Sequence, residues 1–199
     1  MLVLASASGV RRRLLFKAGI EFEVDAADID EGAVKVRLGT AGTSIGGIAA
    51  ELAAAKALAV SRRRPGELII GADQILALET PQGEEAFDKP DGIAGARRHI
   101  QRLRGRVHIL HSAVCLARDD VVIWRHLQSP RLTMRDVSDD FIEDYLARAG
   151  ETILGSVGAY LLEETGVQLF DEISGDYFSI LGLPLLPLLA VLRQHGLAA

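Results

Sequence analysis

Apolar and polar positions change period along this chain, and the changes mark its elements. Residues 2–4 are a continuous apolar run of strand length, and residues 5–9 are too small and too polar to extend it. From Arg11 onward the period is near-helical, with Leu14, Leu15, Ala18 and Ile20 on one face. Residues 22–24 predict a short strand that runs into the acidic series Asp25, Asp28, Asp30 and Glu31; residues 39–47, rich in Gly, Thr and Ser, read as a loop. The alanine-rich stretch 48–64 predicts a helix, stopped by Pro65-Gly66. Residues 68–72 form a buried strand expected to end at Asp73, and the polar segment 79–90, with its two prolines, suits a hairpin loop or flap. Beyond it, 93–103 is helical, and 107–118 with 121–127 predict a hairpin around Asp119-Asp120. A strand at 131–135 precedes a helix capped by Ser138 and reaching 147, with Asp139 and Asp140 in its first turn. A strand or turn at 169–173 and a helix at 184–195 complete the pattern. Strands and helices alternate without a repeat or a dividing linker, so the expectation is an α/β fold over 1–199 as a single domain.

Composition narrows the function. The chain has 199 residues, is 49% apolar and carries a net charge of −5, which argues against a dedicated nucleic-acid binder. Its one cysteine, Cys115, excludes an intramolecular disulfide and lies in an apolar run that fits a core thiol. No basic start leads into an apolar leader, and no apolar run approaches the ~18 residues of a membrane span. A soluble cytoplasmic protein is expected.

Chemistry enters with the first turn. A strand passing through Ser6, Ala7, Ser8 and Gly9 into Arg11, Arg12 and Arg13 offers backbone N–H groups, hydroxyls and guanidinium forks in one place, which suits phosphate. Asp73, at the expected strand end, either holds a metal ion or a water, or caps the next turn. Lys89 sits in Asp-Lys-Pro, where Pro90 holds the chain extended; alone it reads as a solvated loop lysine. Lys56, among alanines, reads as a helix-surface residue, and Glu31 as part of a solvated acidic face. His108 and His111 are three apart in a strand, hence on opposite faces, and do not form a chelating pair. Trp124 and Tyr160 read as packing residues, Tyr160 standing close to Glu163 in sequence.

Taken in order, LASAS, RRRLL, DE, LAAAKA, GAD, DKP, GRVH, SVGAY and GLPLL resemble the Maf family of nucleoside triphosphate pyrophosphatases, from Leu4 to Leu186. The resemblance implies an elongated mixed sheet flanked by helices, with two lobes around a central cleft. It implies hydrolysis between the α and β phosphates with a divalent cation, Mg²⁺ or Mn²⁺. It makes Asp73 the catalytic carboxylate, with Glu31 and Asp73 toward the metal. Ser6, Ser8, Arg11, Lys56 and Lys89 then bind phosphate. The family position for substrate specificity falls on Val10, Gln74 and Glu163. Gln74 after Asp73, and Glu163, match the form that resembles 7-methyl-GTP pyrophosphatases, rather than the form associated with dTTP and UTP. A carboxylate suits the N1–H and amine of a guanine edge. Gly9 stands where the family has Pro, Val10 where it has Trp or Arg, Glu164 where Gly is usual, and Ser112-Ala113 where Thr-Gly is usual. Val10 offers no ring to stack on a methylated purine. The expected partner is a nucleoside triphosphate, with no nucleic acid or membrane and a homodimer allowed. The alternatives are a dTTP/UTP pyrophosphatase, a nucleotide-binding regulatory protein linked to cell division, and a phosphohydrolase acting on the terminal phosphate. No Gly-rich loop ending in Gly-Lys-Ser or Gly-Lys-Thr is present, which disfavours a P-loop enzyme.

Overall fold

Ser8 caps the first helix: its hydroxyl accepts from the backbone N–H of Arg11 at 3.4 Å. In the computed structural model, which describes residues 1–199, the opening elements are β1 (Leu2–Leu4), α1 (Gly9–Lys17) and β2 (Glu23–Val24). Then come α2 (Glu31–Thr40), α3 (Ile45–Ser61), β3 (Leu68–Thr80), β4 (Gly83–Phe87) and α4 (Gly92–Leu103). The hairpin β5 (Val107–Arg118) and β6 (Val121–Gln128) precedes β7 (Arg131–Met134) and α5 (Asp139–Ala149). Two short 3₁₀ turns lead to β8 (Phe170–Ser174), α6 (Tyr177–Ile180) and α7 (Leu185–Gln194). The strands make one mixed sheet in the order β2-β1-β3-β5-β7-β8, with β4 on β3 and β6 on β5. The α/β expectation holds. No helix is long and apolar enough to cross a membrane.

The chain divides into two compact units. The first comprises Met1–Gln74, His111–Ser129 and Asp176–Ala199; the second comprises Ile75–Leu110 and Pro130–Gly175. In the first, β1 runs parallel to β2 and β3, pairing Leu4 with Val24 and Ile70, while β6 lies antiparallel on β5. Its core packs Leu2, Leu4, Leu15, Ile70, Leu116 and Leu188. In the second, β4 pairs with the far end of β3, and β8 with β7. His108 is fully buried there, its Nε2 2.8 Å from the Tyr160 hydroxyl, and burial pushes its pKa down to about 4.

Three differences from the sequence reading bear on the site. β3 does not end at Asp73 but continues to Thr80, so Asp73 lies mid-strand. α2 forms where no helix was expected, because Asp30 accepts from the N–H of Ala33 at 2.8 Å while Gly32 and Gly39 hide the pattern. α3 starts at Ile45, capped by Ser44, ahead of the alanine run. Gly46 there meets the ring of His111 and the side chain of Leu127, each 3.1 Å from where a Cβ would stand.

Candidate active site

The close approach of α3 to β3 builds the site. A Cβ on Gly71 would lie 2.1 Å from the backbone oxygen of Ala53 and 2.8 Å from the Cβ of Ala57. Only hydrogen and methyl at these positions let helix and strand touch. Asp73 is two residues beyond Gly71 and shares its face of the strand; Lys56 is one residue before Ala57. Their side chains therefore meet, Lys56 Nζ donating to Asp73 Oδ1 at 2.6 Å. Glu31, the first residue of α2, places Oε1 2.9 Å from the same Nζ. Lys56 is 9% exposed and Asp73 6%. The expectation of a surface lysine is corrected: small residues around it bring the helix down onto the sheet and bury it. The acidic run likewise is not wholly solvated, since Glu31 turns to Lys56 and Asp25 to Arg63 and Arg64.

The phosphate-type turn stands beside this triad. Ser6 Oγ accepts from the N–H of Ser8 at 3.3 Å and from Arg11 Nη1 at 3.1 Å. Arg11 also donates from Nη1 to the carbonyl of Ala72 at 3.0 Å and from Nε to that of Gly182 at 2.8 Å. Its guanidinium is thus anchored to the protein through Nε and Nη1. Burial lowers its pKa, while the charges of Asp73 and Glu31 act in the opposite sense. Val10 is half-buried in the first turn of α1. Gln74 follows Asp73 and turns its amide to Ser112, Ser179 and Ile180.

The first unit thus brings together Ser6, Arg11, Glu31, Lys56 and Asp73, with Ser8 and Gln74 adjoining. Lys89 and Glu163 belong to the second unit, where both are exposed. Lys89 lies two residues after Phe87, whose ring meets His99 edge-on at 5.1 Å, and precedes Pro90, which packs on Gly95 of α4. The sequence reading missed Ser179, Gln128 and Asp176, which join Ser112 in a polar group behind Gln74. Two of them lie in the short run 176–179, where no hydrophobic period signals structure. A separate cavity of about 690 Å³, lined by Arg12, Arg13, Phe16, Ile20, Phe22 and Val24, shares no residue with this site.

Fold and cluster together define an α/β protein that gathers a buried lysine, two carboxylates and an arginine around a strand-turn-helix start. The chain belongs to the Maf-like protein family, whose model matches residues 1–195. It is 51% identical over 194 residues to a 7-methyl-GTP pyrophosphatase of Brucella abortus, covering 98% of this chain and 96% of the relative. A 7-methyl-GTP pyrophosphatase of Rhizobium meliloti is 48% identical over 196 residues, covering 98% and 96%. A nucleoside triphosphate pyrophosphatase of Nitrobacter hamburgensis is 50% identical over 196 residues, covering 98% and 94%.

Proposed function

We propose that this chain is a nucleoside triphosphate pyrophosphatase that cleaves between the α and β phosphates of a purine nucleotide such as 7-methyl-GTP. The observation that carries the reading is the Lys56 ammonium held between Asp73 and Glu31, beside the α1 turn. The names of the relatives support the same activity. Water attacks the α phosphorus, the bridging P–O bond breaks, pyrophosphate departs, and the water's proton passes to Asp73. Buried and mid-strand, Asp73 is a fixed acceptor that needs little reorganisation. Lys56 faces the charge that grows on the leaving group, and the resemblance gives Lys89 the same task. Ser6, Ser8 and Arg11 shape the turn for the remaining phosphate oxygens.

The donor set fits a hard divalent cation. Glu31 and Asp73 offer carboxylate oxygens, and no third acidic, histidine or cysteine side chain joins them. That suits Mg²⁺ or Mn²⁺, which take further ligands from water and substrate phosphates. When bound, the cation would neutralise phosphate charge. The reading places the enzyme with the cytoplasmic nucleotide pool.

Asp73→Asn should abolish pyrophosphate release and leave nucleotide binding measurable. Retention of more than about a tenth of wild-type kcat, a change of only ~1.4 kcal/mol, would overturn the assignment. At the base, purines should be preferred, with weak discrimination between methylated and unmethylated guanine because Val10 cannot stack. Glu163→Gln should cut guanine-type activity by roughly ten- to a hundredfold, the worth of one unpaired hydrogen-bonding group at about 1–3 kcal/mol. Equal turnover of UTP by the wild type would remove the purine assignment and leave the pyrophosphatase.

A further inference from the structure

Two motif residues have no part in the proposed chemistry: His108 of GRVH and Tyr160 of SVGAY. In the second unit they meet. His108 is fully buried, Tyr160 is 4% exposed, and His108 Nε2 stands 2.8 Å from the Tyr160 hydroxyl. The Tyr160 ring meets Phe170 of β8 edge-on at 4.8 Å, and Phe170 also lies against His108, with 5.8 Å between ring centres. Burial keeps the imidazole neutral, with a pKa of about 4, and raises the phenol, so the pair carries no charge at neutral pH. His108 Nδ1 is buried without a partner, which leaves the Tyr160 hydroxyl as the ring's one hydrogen-bond partner. The segment around Tyr160 is fixed at further points. Ala159, at a φ of +57°, offers its carbonyl to the Tyr145 hydroxyl of α5 at 3.1 Å. A non-glycine residue keeps that conformation only where its surroundings impose it. A Cβ on Gly158 would stand 2.2 Å from the Tyr160 ring, and one on Gly166 2.5 Å from the carbonyl oxygen of Leu161. The chain therefore folds back on itself between 161 and 166, closed by the Glu164 N–H donating to the Leu161 carbonyl at 3.1 Å. Leu162 is buried, while Glu163 and Glu164 stand exposed on this turn. A carboxylate that selects a base has to be held to within about 0.5 Å, and an exposed turn draws such a hold from what lies beneath it.

We infer that His108 and Tyr145 are positioning residues for substrate selectivity: through the Tyr160 hydroxyl and the Ala159 carbonyl they fix the turn 161–166, and so fix Glu163 for the guanine edge. Buried as they are, they act through the turn and not on the nucleotide. The inference rests on the proposed reading that Glu163 selects the base.

Tyr160→Phe gives the test, because it keeps the ring and removes only the hydroxyl. A contact with the base is made in the ground state and the transition state alike, so a loosened Glu163 should raise KM for GTP and 7-methyl-GTP and leave kcat near wild type. Scored by pyrophosphate release, the GTP:UTP ratio of kcat/KM should fall about threefold or more, the worth of one hydrogen bond. A smaller fall overturns the inference, and so does an equal loss on GTP and UTP, which is what a hydroxyl that serves stability alone would give. In the Glu163→Gln background, Tyr160→Phe should leave the ratio where Glu163→Gln alone sets it; a further fall of the same size means that the hydroxyl acts elsewhere, and overturns the inference as well. Should Tyr160→Phe not fold, Tyr145→Phe, which frees the Ala159 carbonyl and nothing else, carries the same expectations. A Glu163→Gln enzyme with the wild-type ratio marks failure of the base reading itself, and the inference falls with it. A ratio moved by Glu163→Gln but not by Tyr160→Phe overturns the inference alone.

Discussion

Lys56 changes meaning with its neighbours. In sequence it is one lysine among alanines; in the fold those alanines draw the helix onto Gly71 and set the ammonium against two carboxylates. Lys56→Met keeps the length and removes the charge. Since pyrophosphate leaves with growing negative charge, kcat should fall more than KM rises in steady-state kinetics. The same change strands Asp73 in the interior, and denaturant unfolding should show a loss of about 3–5 kcal/mol. Lys89, exposed on its loop, makes the control: Lys89→Ala should reduce kcat while stability stays within about 0.5 kcal/mol. The identities of Asp73, Lys56 and Glu31 were legible in the order of the motifs, but their meeting was not. It depends on a missing Cβ at Gly71, and a glycine inside a strand is the one local sign of such an approach. Gln74 was legible as a position, but the partners of its amide were not, because two of the oxygens that meet it come from residues 105 and 106 positions away.

At the scale of elements, hydrophobic period located β1, α4, the β5–β6 hairpin, α5 and α7 to within a few residues. It failed at α2, none of whose residues is buried, so no apolar face announces it. It also stopped β3 too early: a carboxylate in mid-strand breaks the apolar run, although the backbone continues. Helix–strand contact at Gly71 is the element-level feature on which the site depends. Gly71→Ala should push α3 from β3, cost about 1–3 kcal/mol or more in thermal or denaturant unfolding, and reduce activity through the Lys56–Asp73 distance. An active, fully stable Gly71→Ala protein would mean that the helix reaches the strand by other contacts.

For the whole molecule, charge ties distant parts of the first unit together. Arg63 and Arg64 at the end of α3 both bond Asp25 after β2, and Arg62 meets Asp120 in the β5–β6 turn. The Arg63 hydrogen bond, joined by Arg64, holds the Asp25 pKa at about 2, below its ordinary 3.8. A depressed folded pKa means stability that is present above pH ~4 and is lost as pH falls toward 2. Unfolding of Asp25→Asn should therefore differ from wild type at pH 6 and converge with it near pH 2. The difference should shrink in high salt, because these side chains are partly exposed. Cys115 is buried in β5, and burial raises its thiol to about 12. The native chain should be silent to a thiol reagent at pH 8 and release one equivalent when unfolded. This leaves the surface blank for probes. A cysteine introduced at any exposed position would be the single reactive handle, so one dye or spin label can be placed where wanted without first removing the natural thiol.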